Sequence, residues 1–338
     1  MRIIIATLLF AVVVQGCNNR NIPDVSNIKI NIETERFEKK LFDTSATNLM
    51  NYINEIQNSS TPSFHQMYFT EILGVDPKAP KDSISVYVNQ FIKAFRPVYD
   101  TAEKVFSNFA PYEQEIKEGL QFVKYYFPNY PAPQKVITYI GPADGYGDVI
   151  LPGEALLVGL HHHLGAGYSL YQTDMVRQYY PDYISRRFEP SYIAVNAMKN
   201  IVLDIFPEKG DDQPLIKQMI EKGKRLYVLQ QLLPHHEAAE LIGYTPAQYK
   251  DCVAHETAIW DLFIKNNYLQ VNTKNIIKDY IEEGPKTQEL GEGAPGNIGS
   301  FAGWQIVKKY MQKNDKLTLS ALMNTDAEII FQEAKYKP

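Results

Sequence analysis

Cysteine is scarce. The 338 residues contain two, Cys17 and Cys252, so no disulfide framework can organise the fold. Tryptophan is equally rare, with two residues. Basic residues do not outnumber acidic ones: 34 Lys and Arg stand against 39 Asp and Glu, a formal net charge of −5. That balance provides no cationic stripe to neutralise phosphates, which excludes nucleic acid as a partner. Past the N-terminus, no apolar run approaches the roughly 20 residues that cross a bilayer. Internal repeats and low-complexity tracts are missing too, which argues against solenoids and long linkers.

Chemical motifs are just as thin. The seven histidines are His65, His161, His162, His163, His235, His236 and His255, and no two of them lie three or four apart. A helical zinc-protease motif needs His at i and i+4 to aim two imidazoles at one metal, with Glu beside the first as general base. His255-Glu256-Thr257-Ala258-Ile259 opens that way, but Ile259 stands where the second ligand must be. G-x-S-x-G and the phosphate-binding P-loop are absent from the chain. Gly291 to Gly299 contains a formal G-x-G-x-x-G, yet it follows a helix and the charged stretch Glu282 to Glu289 where a dinucleotide site needs a strand. Pro295 also removes one N–H that could cradle phosphate. The expected role of this segment is a loop that lets the next helix approach its neighbours closely. Asp144-Gly145-Tyr146-Gly147-Asp148 lacks the ligand ladder of a calcium loop and reads as a turn. No catalytic, cofactor or metal residue is assigned.

What is present begins at the N-terminus. Met1-Arg2 is followed by an apolar run from Ile3 to Val14 and then by Val14-Gln15-Gly16-Cys17. One positive charge, a short apolar core and a small residue before Cys form a secretory signal of the lipoprotein kind. The expected layout is a signal peptide over 1–16, a lipidated tether over 17–27 with the acyl chains on Cys17, and one helix-rich globular domain over 28–338. Burial of each CH₂ contributes about 0.8 kcal/mol, so several chains on one residue give a durable anchor. Asn18-Asn19-Arg20-Asn21-Ile22-Pro23 carries no acidic tract, which favours a periplasm-facing location. Tyrosine is abundant, at 23 residues, and supplies large half-buried surfaces with a polar tip.

Periodicity gives the rest. Ile28 to Glu33 alternates and predicts a strand. Helices are expected from about Asp43–Ser45 to Asn58, over 63–73, over 83–95 with a stop before Pro97, and over 111–127. Val136 to Ile140 predicts a strand, and Val149–Leu151 with Ala155–Leu160 a pair of strands around Pro152-Gly153. From Asp174 onward helices dominate, with apolar stripes over 192–206, 215–233, 245–265 and 297–313. His161-His162-His163 follows a strand, so alternation sends His162 to the opposite face. His235-His236-Glu237 sits at a helix start after Pro234, and Cys252 reads as a small buried hydrophobe on a helix. The fold class is α+β, mostly α-helical, with a small central sheet among many packed helices.

Several segments together resemble the gliding-motility lipoprotein GldB family. They are the lipobox ending in Cys17; Met198-Lys199-Asn200-Ile201-Val202; Gly223-Lys224-Arg225-Leu226-Tyr227 with Leu232-Leu233-Pro234; Ile242-Gly243-Tyr244-Thr245; and Gly291 to Gly299 with Gly303-Trp304-Gln305-Ile306-Val307. The resemblance spans nearly the whole chain. It implies a cell-envelope lipoprotein of Gram-negative surface-crawling bacteria, placed in the outer membrane facing the periplasm. Its partners would be the bilayer, through acylated Cys17, and other envelope proteins of the gliding and type IX secretion machinery. Relatives also occur in bacteria that do not glide. More distantly, the C-terminal layout is similar to predicted zinc-dependent proteases, a zincin-like scaffold with its metal pair on the helix ahead of 215–233. No His lies between His163 and His235, so that pair is missing, and Glu221 alone could mimic a third ligand. The expected role is a non-catalytic binding or scaffold component. The competing expectation is an envelope hydrolase with a nonstandard site drawn from His161–His163 and His255.

Overall fold

The structure, a computed structural model, describes residues 22–338 apart from 59–62, 146, 152, 153 and 209–211. The signal segment, Cys17 and the start of the tether lie outside the described residues.

A four-stranded mixed sheet runs in the order β1 (Glu33–Arg36), β2 (Lys135–Tyr139), β4 (Ala155–Gly159), β3 (Val149–Leu151). β1 pairs parallel to β2 with Glu33 opposite Lys135, and β2 pairs parallel to β4 with Lys135 opposite Ala155. β3 returns antiparallel on β4, so the pair of strands expected on either side of Pro152-Gly153 forms, those two residues lying outside the described ones. β4 is buried at every residue and β2 at all but Lys135, as parallel strands covered on both faces must be. The strand expected at Ile28 begins later, at Glu33. Ile28 and Ile30 point into the core from an irregular lead-in whose Ile28 carbonyl is held by the Gln121 amide.

Helices α1 (Phe37–Phe42), α2 (Ala46–Asn58), α3 (Phe64–Met67), α4 (Lys81–Val105) and α5 (Ala110–Tyr126) precede β2. α2 opens with the Ser45 hydroxyl accepting from the Asn48 N–H, and α3 with Ser63 accepting from Gln66. α3 widens into a π-helical turn over Tyr68–Ile72. Phe37, Tyr52, Phe64, His65 and Tyr68 pack ring on ring there. The expected stop before Pro97 does not occur: α4 runs through it. Two flanking anchors hold the helix across the missing N–H. Arg96 reaches back to the Phe42 carbonyl and forward to Asp100. Val98, Tyr99 and Ala102 are buried beyond it, and Tyr99 stacks on Phe42. Burial of that face outweighs the local cost of the proline.

After the sheet come α6 (Asp174–Tyr179), α7 (Asp182–Ser185), α8 (Tyr192–Ile205), α9 (Leu215–Leu232), α10 (Ala238–Ile242), α11 (Pro246–Ala254), α12 (Glu256–Lys265), α13 (Lys274–Ile281), α14 (Ile298–Lys313), α15 (Leu319–Asn324) and α16 (Ala327–Ala334). The single helix expected over 245–265 is two, broken at His255, whose N–H still closes on Asp251. The mostly helical α+β class holds.

α9 and α14 form the centre of this half. They cross with backbones touching, because both helices carry glycine at the crossing. A Cβ on Gly223 would fall 2.6 Å from the Trp304 nitrogen, and one on Gly303 would overlap the Met219 carbonyl. Met219, Ile220, Phe301, Trp304 and Val307 are fully buried around that point. Lys224 is buried there too, at 0% exposure. Its ammonium donates to Glu221 Oε1 (2.6 Å), the Thr325 carbonyl (2.6 Å) and the Met323 carbonyl (3.4 Å), so it fastens the end of α15 to α9.

Candidate functional site

Four segments far apart in the chain meet at one cleft. α8 supplies Lys199, Val202 and Leu203; α9 supplies Lys222, Arg225, Leu226 and Leu229. α10 brings Leu241 and Ile242; Glu283, Asn297 and Ser300 close the far wall, with a cavity of about 290 Å³ between them. The apolar walls are largely buried, with Val202, Leu229, Leu241 and Ile242 in the core and Leu203 exposed.

The rim is charged and mostly fixed. Arg187 grips Glu283 with both guanidinium nitrogens, Nη1 to Oε1 at 2.6 Å and Nη2 to Oε2. Partial burial raises the Glu283 carboxyl, but the bonds and charge of Arg187, with Lys199 and Arg186, more than offset this and hold it below the usual range. Arg186 donates to the Gly243 carbonyl at 2.9 Å. Arg225 spends its donors on the Phe206, Pro207 and Glu221 carbonyls and so ties the C-terminal end of α8 to α9. Lys199 is half-buried, and burial together with the Arg187 charge pushes its ammonium down to about 8, with Glu283 opposing.

The glycine-rich segment builds the far wall. Gly296 lies so close to Gly284 that an added Cβ would sit 2.5 Å from its carbonyl oxygen. The buried Tyr244 hydroxyl donates to the Gly296 and Asn297 carbonyls, and Thr287 to that of Pro295. Asn297 then takes a left-handed conformation, φ +58°, to turn the chain into α14. Its side chain does not cap the helix: Asn297 Oδ1 and the Ser300 hydroxyl are buried with no hydrogen-bond partner among the described residues. Buried polar atoms are nearly always paired, and both of these belong to residues lining the cleft.

The residues singled out by sequence are scattered. His161, His162 and His163 are all buried after β4 in a 3-10 turn over Leu160–His162, not in an extended strand, so the alternation expected for His162 does not apply. The His161 and His162 rings lie 4.2 Å apart. His161 Nδ1 accepts the Gly141 N–H. His162 stacks on Phe188 at 4.5 Å; burial and then its two histidine neighbours keep it neutral. His163 Nε2 meets Asp148 Oδ2 at 2.8 Å and its Nδ1 faces the Glu189 carbonyl at 3.1 Å. Both partners are acceptors, so the ring is satisfied only when it carries both protons. Burial disfavours that charge, but Asp148 outweighs it and raises the His163 pKa; the Asp148 carboxyl, raised by burial, is lowered overall by His163 and its other donors. Asp148, read as a turn residue, also accepts from Asn196 and the Gly159 N–H.

His255 is exposed beside Asp251 and does not join this group. His65 pairs with Glu55, His235 with Glu118 and His236 with Glu240. Glu256 accepts from Tyr336, Glu221 is engaged by Lys224, and Ile259 is core. Cys252 is buried, and burial pushes its thiol up to about 12. No group of three or more His, Cys, Asp or Glu among the described residues is arranged to hold a metal. No described helix is long and apolar enough to cross a membrane.

Fold and cleft together define a helix-dominated α+β protein with a small sheet and an apolar cleft rimmed by charge. The chain matches the family model of the gliding motility protein GldB over residues 18–338 and belongs to that family. The lipoprotein type of that family fits anchoring by a lipid. No curated protein matches the chain, and no solved structure does, so the protease-like resemblance gains no structural support.

Proposed function

We propose that this protein is a lipid-anchored envelope component of the gliding and type IX secretion machinery that acts by binding, without a catalytic step of its own. The observation that carries the reading is the meeting of the family-resembling segments at one cleft: Lys199, Arg225 and Leu226, Ile242, and Asn297 come from four of them. The rim of this cleft holds a clamped Arg187–Glu283 pair and a carbonyl-bound Arg225, groups fixed for recognition. The lipobox supports anchoring through Cys17, and the lack of an acidic tract after it supports the periplasmic face of the outer membrane.

The test is replacement of the chromosomal copy by Cys17→Ser and, separately, by Leu226→Asp in the cleft. Colony spreading, membrane fractionation and pull-down from native membranes are the readouts. Cys17→Ser is expected to leave the membrane fraction, and both variants to lose spreading, while Leu226→Asp stays membrane-bound and loses co-purifying envelope proteins. Normal spreading by a soluble Cys17→Ser protein would overturn the anchored role. Stoichiometric zinc in the purified protein, lost on substitution of His161, His162 or His163, would overturn the non-catalytic one.

A further inference from the structure

The wall of the cleft formed by α14 has the parts of an anion site. Ser300 lies in the first turn of a 16-residue helix, is 1% exposed, and its hydroxyl has no partner among the described residues. The Ser300 N–H closes on the Asn297 carbonyl at 3.1 Å, so what this helix start offers an anion is the free hydroxyl and the partial positive charge of the aligned peptide dipoles. α14 is not capped by its own Asn297 side chain. Lys199 lines the same cavity as Ser300. The charged residues lining the cavity are Lys199, Lys222 and Arg225 against Glu283, whose carboxylate Arg187 already holds. Lys222 is engaged by Glu208 and Arg225 by carbonyls. The charge available to a ligand at this end is therefore positive. The remaining walls are Val202, Leu203, Leu226, Leu229, Leu241 and Ile242, all aliphatic. A site of about 290 Å³ lies at the small end of ligand pockets.

We infer that the cleft binds a carboxylate carried on a small aliphatic body, with the carboxylate between Lys199 and the Ser300 end of α14 and the apolar part against α8, α9 and α10. The hydroxyl of Ser300 donates to one carboxylate oxygen and the ammonium of Lys199 to the other. This inference rests on reading the cleft as a binding site, and it names the chemistry of what enters. Two sources carry that chemistry: a free aliphatic acid, and the end of a polypeptide whose last side chain is aliphatic.

The experiment is titration of the full processed chain, made with Cys17→Ser to keep it free of lipid, followed by calorimetry and by NMR shifts. The probes are octanoate, octanamide, and a tripeptide ending in leucine with a free or an amidated C-terminus. Octanoate, the free-acid peptide or both are expected to bind at least about tenfold tighter than their amides, the worth of one charge-assisted hydrogen bond. Ser300→Ala and Lys199→Gln are each expected to remove about that factor while leaving the denaturation midpoint in place. Binding by octanoate alone assigns the free acid, and binding by the peptide alone assigns a chain terminus. Equal affinity for acids and amides, no binding by any probe, or affinity indifferent to both substitutions would overturn the inference. If Leu226→Asp abolishes spreading while no carboxylate binds, the ligand chemistry fails and the proposed function stands. If carboxylates bind and Leu226→Asp spreads normally, the function fails and the site stands.

Discussion

Gly303→Ala places one methyl group at the tightest point of the molecule. Its Cβ would overlap the Met219 carbonyl and lie 3.1 Å from the Ile220 nitrogen. Neither neighbour can rotate away, since both are backbone atoms inside α9. Carbon and oxygen settle near 3.4 Å or beyond, so the helices must part by about 1.5 Å. A gap of about 0.5–1 Å already forfeits a quarter to a half of the dispersion attraction across it. Overpacking of this kind costs about 1–3 kcal/mol and occasionally more. The higher helix propensity of Ala returns about 1 kcal/mol. With the cost at the upper end of that range, because both neighbours are backbone, a net loss of about 2 kcal/mol is expected, a large share of the roughly 5–15 kcal/mol that keeps a domain folded. Urea denaturation followed by far-ultraviolet circular dichroism measures it as a lower midpoint at unchanged slope. Gly119→Ala is the control: its Cβ would meet the Met198 sulfur at 2.7 Å, and a thioether side chain can move aside. It is expected to shift stability by less than about 1 kcal/mol. A Gly303→Ala midpoint equal to that of the parent protein would refute the argument that backbone contact holds α9 to α14.

Lys224→Met is expected to cost about 3 kcal/mol in the same assay, because Glu221 and two carbonyls of the α15 end lose a buried cation; a neutral result would show that apolar packing replaces the network. The His163–Asp148 pair gives stability a pH window. The raised His163 pKa contributes fully below its unfolded value of about 6.5 and is lost as pH rises through the folded value, while the lowered Asp148 pKa contributes above about 3.9 and is lost as pH falls through its own. His163→Gln should therefore flatten the fall of the denaturation midpoint on the alkaline side, and an unchanged profile would contradict the pairing. Cys252, pushed up to about 12 by burial, should resist thiol reagents at pH 8 until urea unfolds the chain; stoichiometric labelling of the native protein would be inconsistent with that burial.

Much of the fold is legible in the residues taken alone. The stripes of α8, α9 and α14, the Ser45 cap and the β3–β4 pair follow from local period and turn chemistry, and all stand in the structure. Pro97 misleads because the forces that carry α4 across it come from Phe42 and Asp43, more than fifty positions away. His162 misleads because the chain curls just after Gly159, and alternation holds only while it is extended. The cleft was hidden for a similar reason: Lys199, Glu283 and Ser300 share no local pattern. Signals did exist for two other long-range contacts. Lys224 falls within the apolar stripe of α9, where a cation needs a buried partner, and Asn196 and Asn200 fall one turn apart on a largely apolar α8 and both bond to Asp148. Polar residues in greasy stripes mark where distant parts of the chain will be called in.

The acceptors of Lys224 have a consequence for how the chain is made. Met323 and Thr325 follow Lys224 by 99 and 101 positions. Until residues 323–325 have been made, α9 would have to bury a cation beside carbonyls not yet present. The buried network around Lys224 therefore completes only after about a hundred further residues have been made. A premature stop that removes α15 and α16 withdraws the ammonium's two carbonyl acceptors along with two short helices and leaves only Glu221 to hold a buried cation.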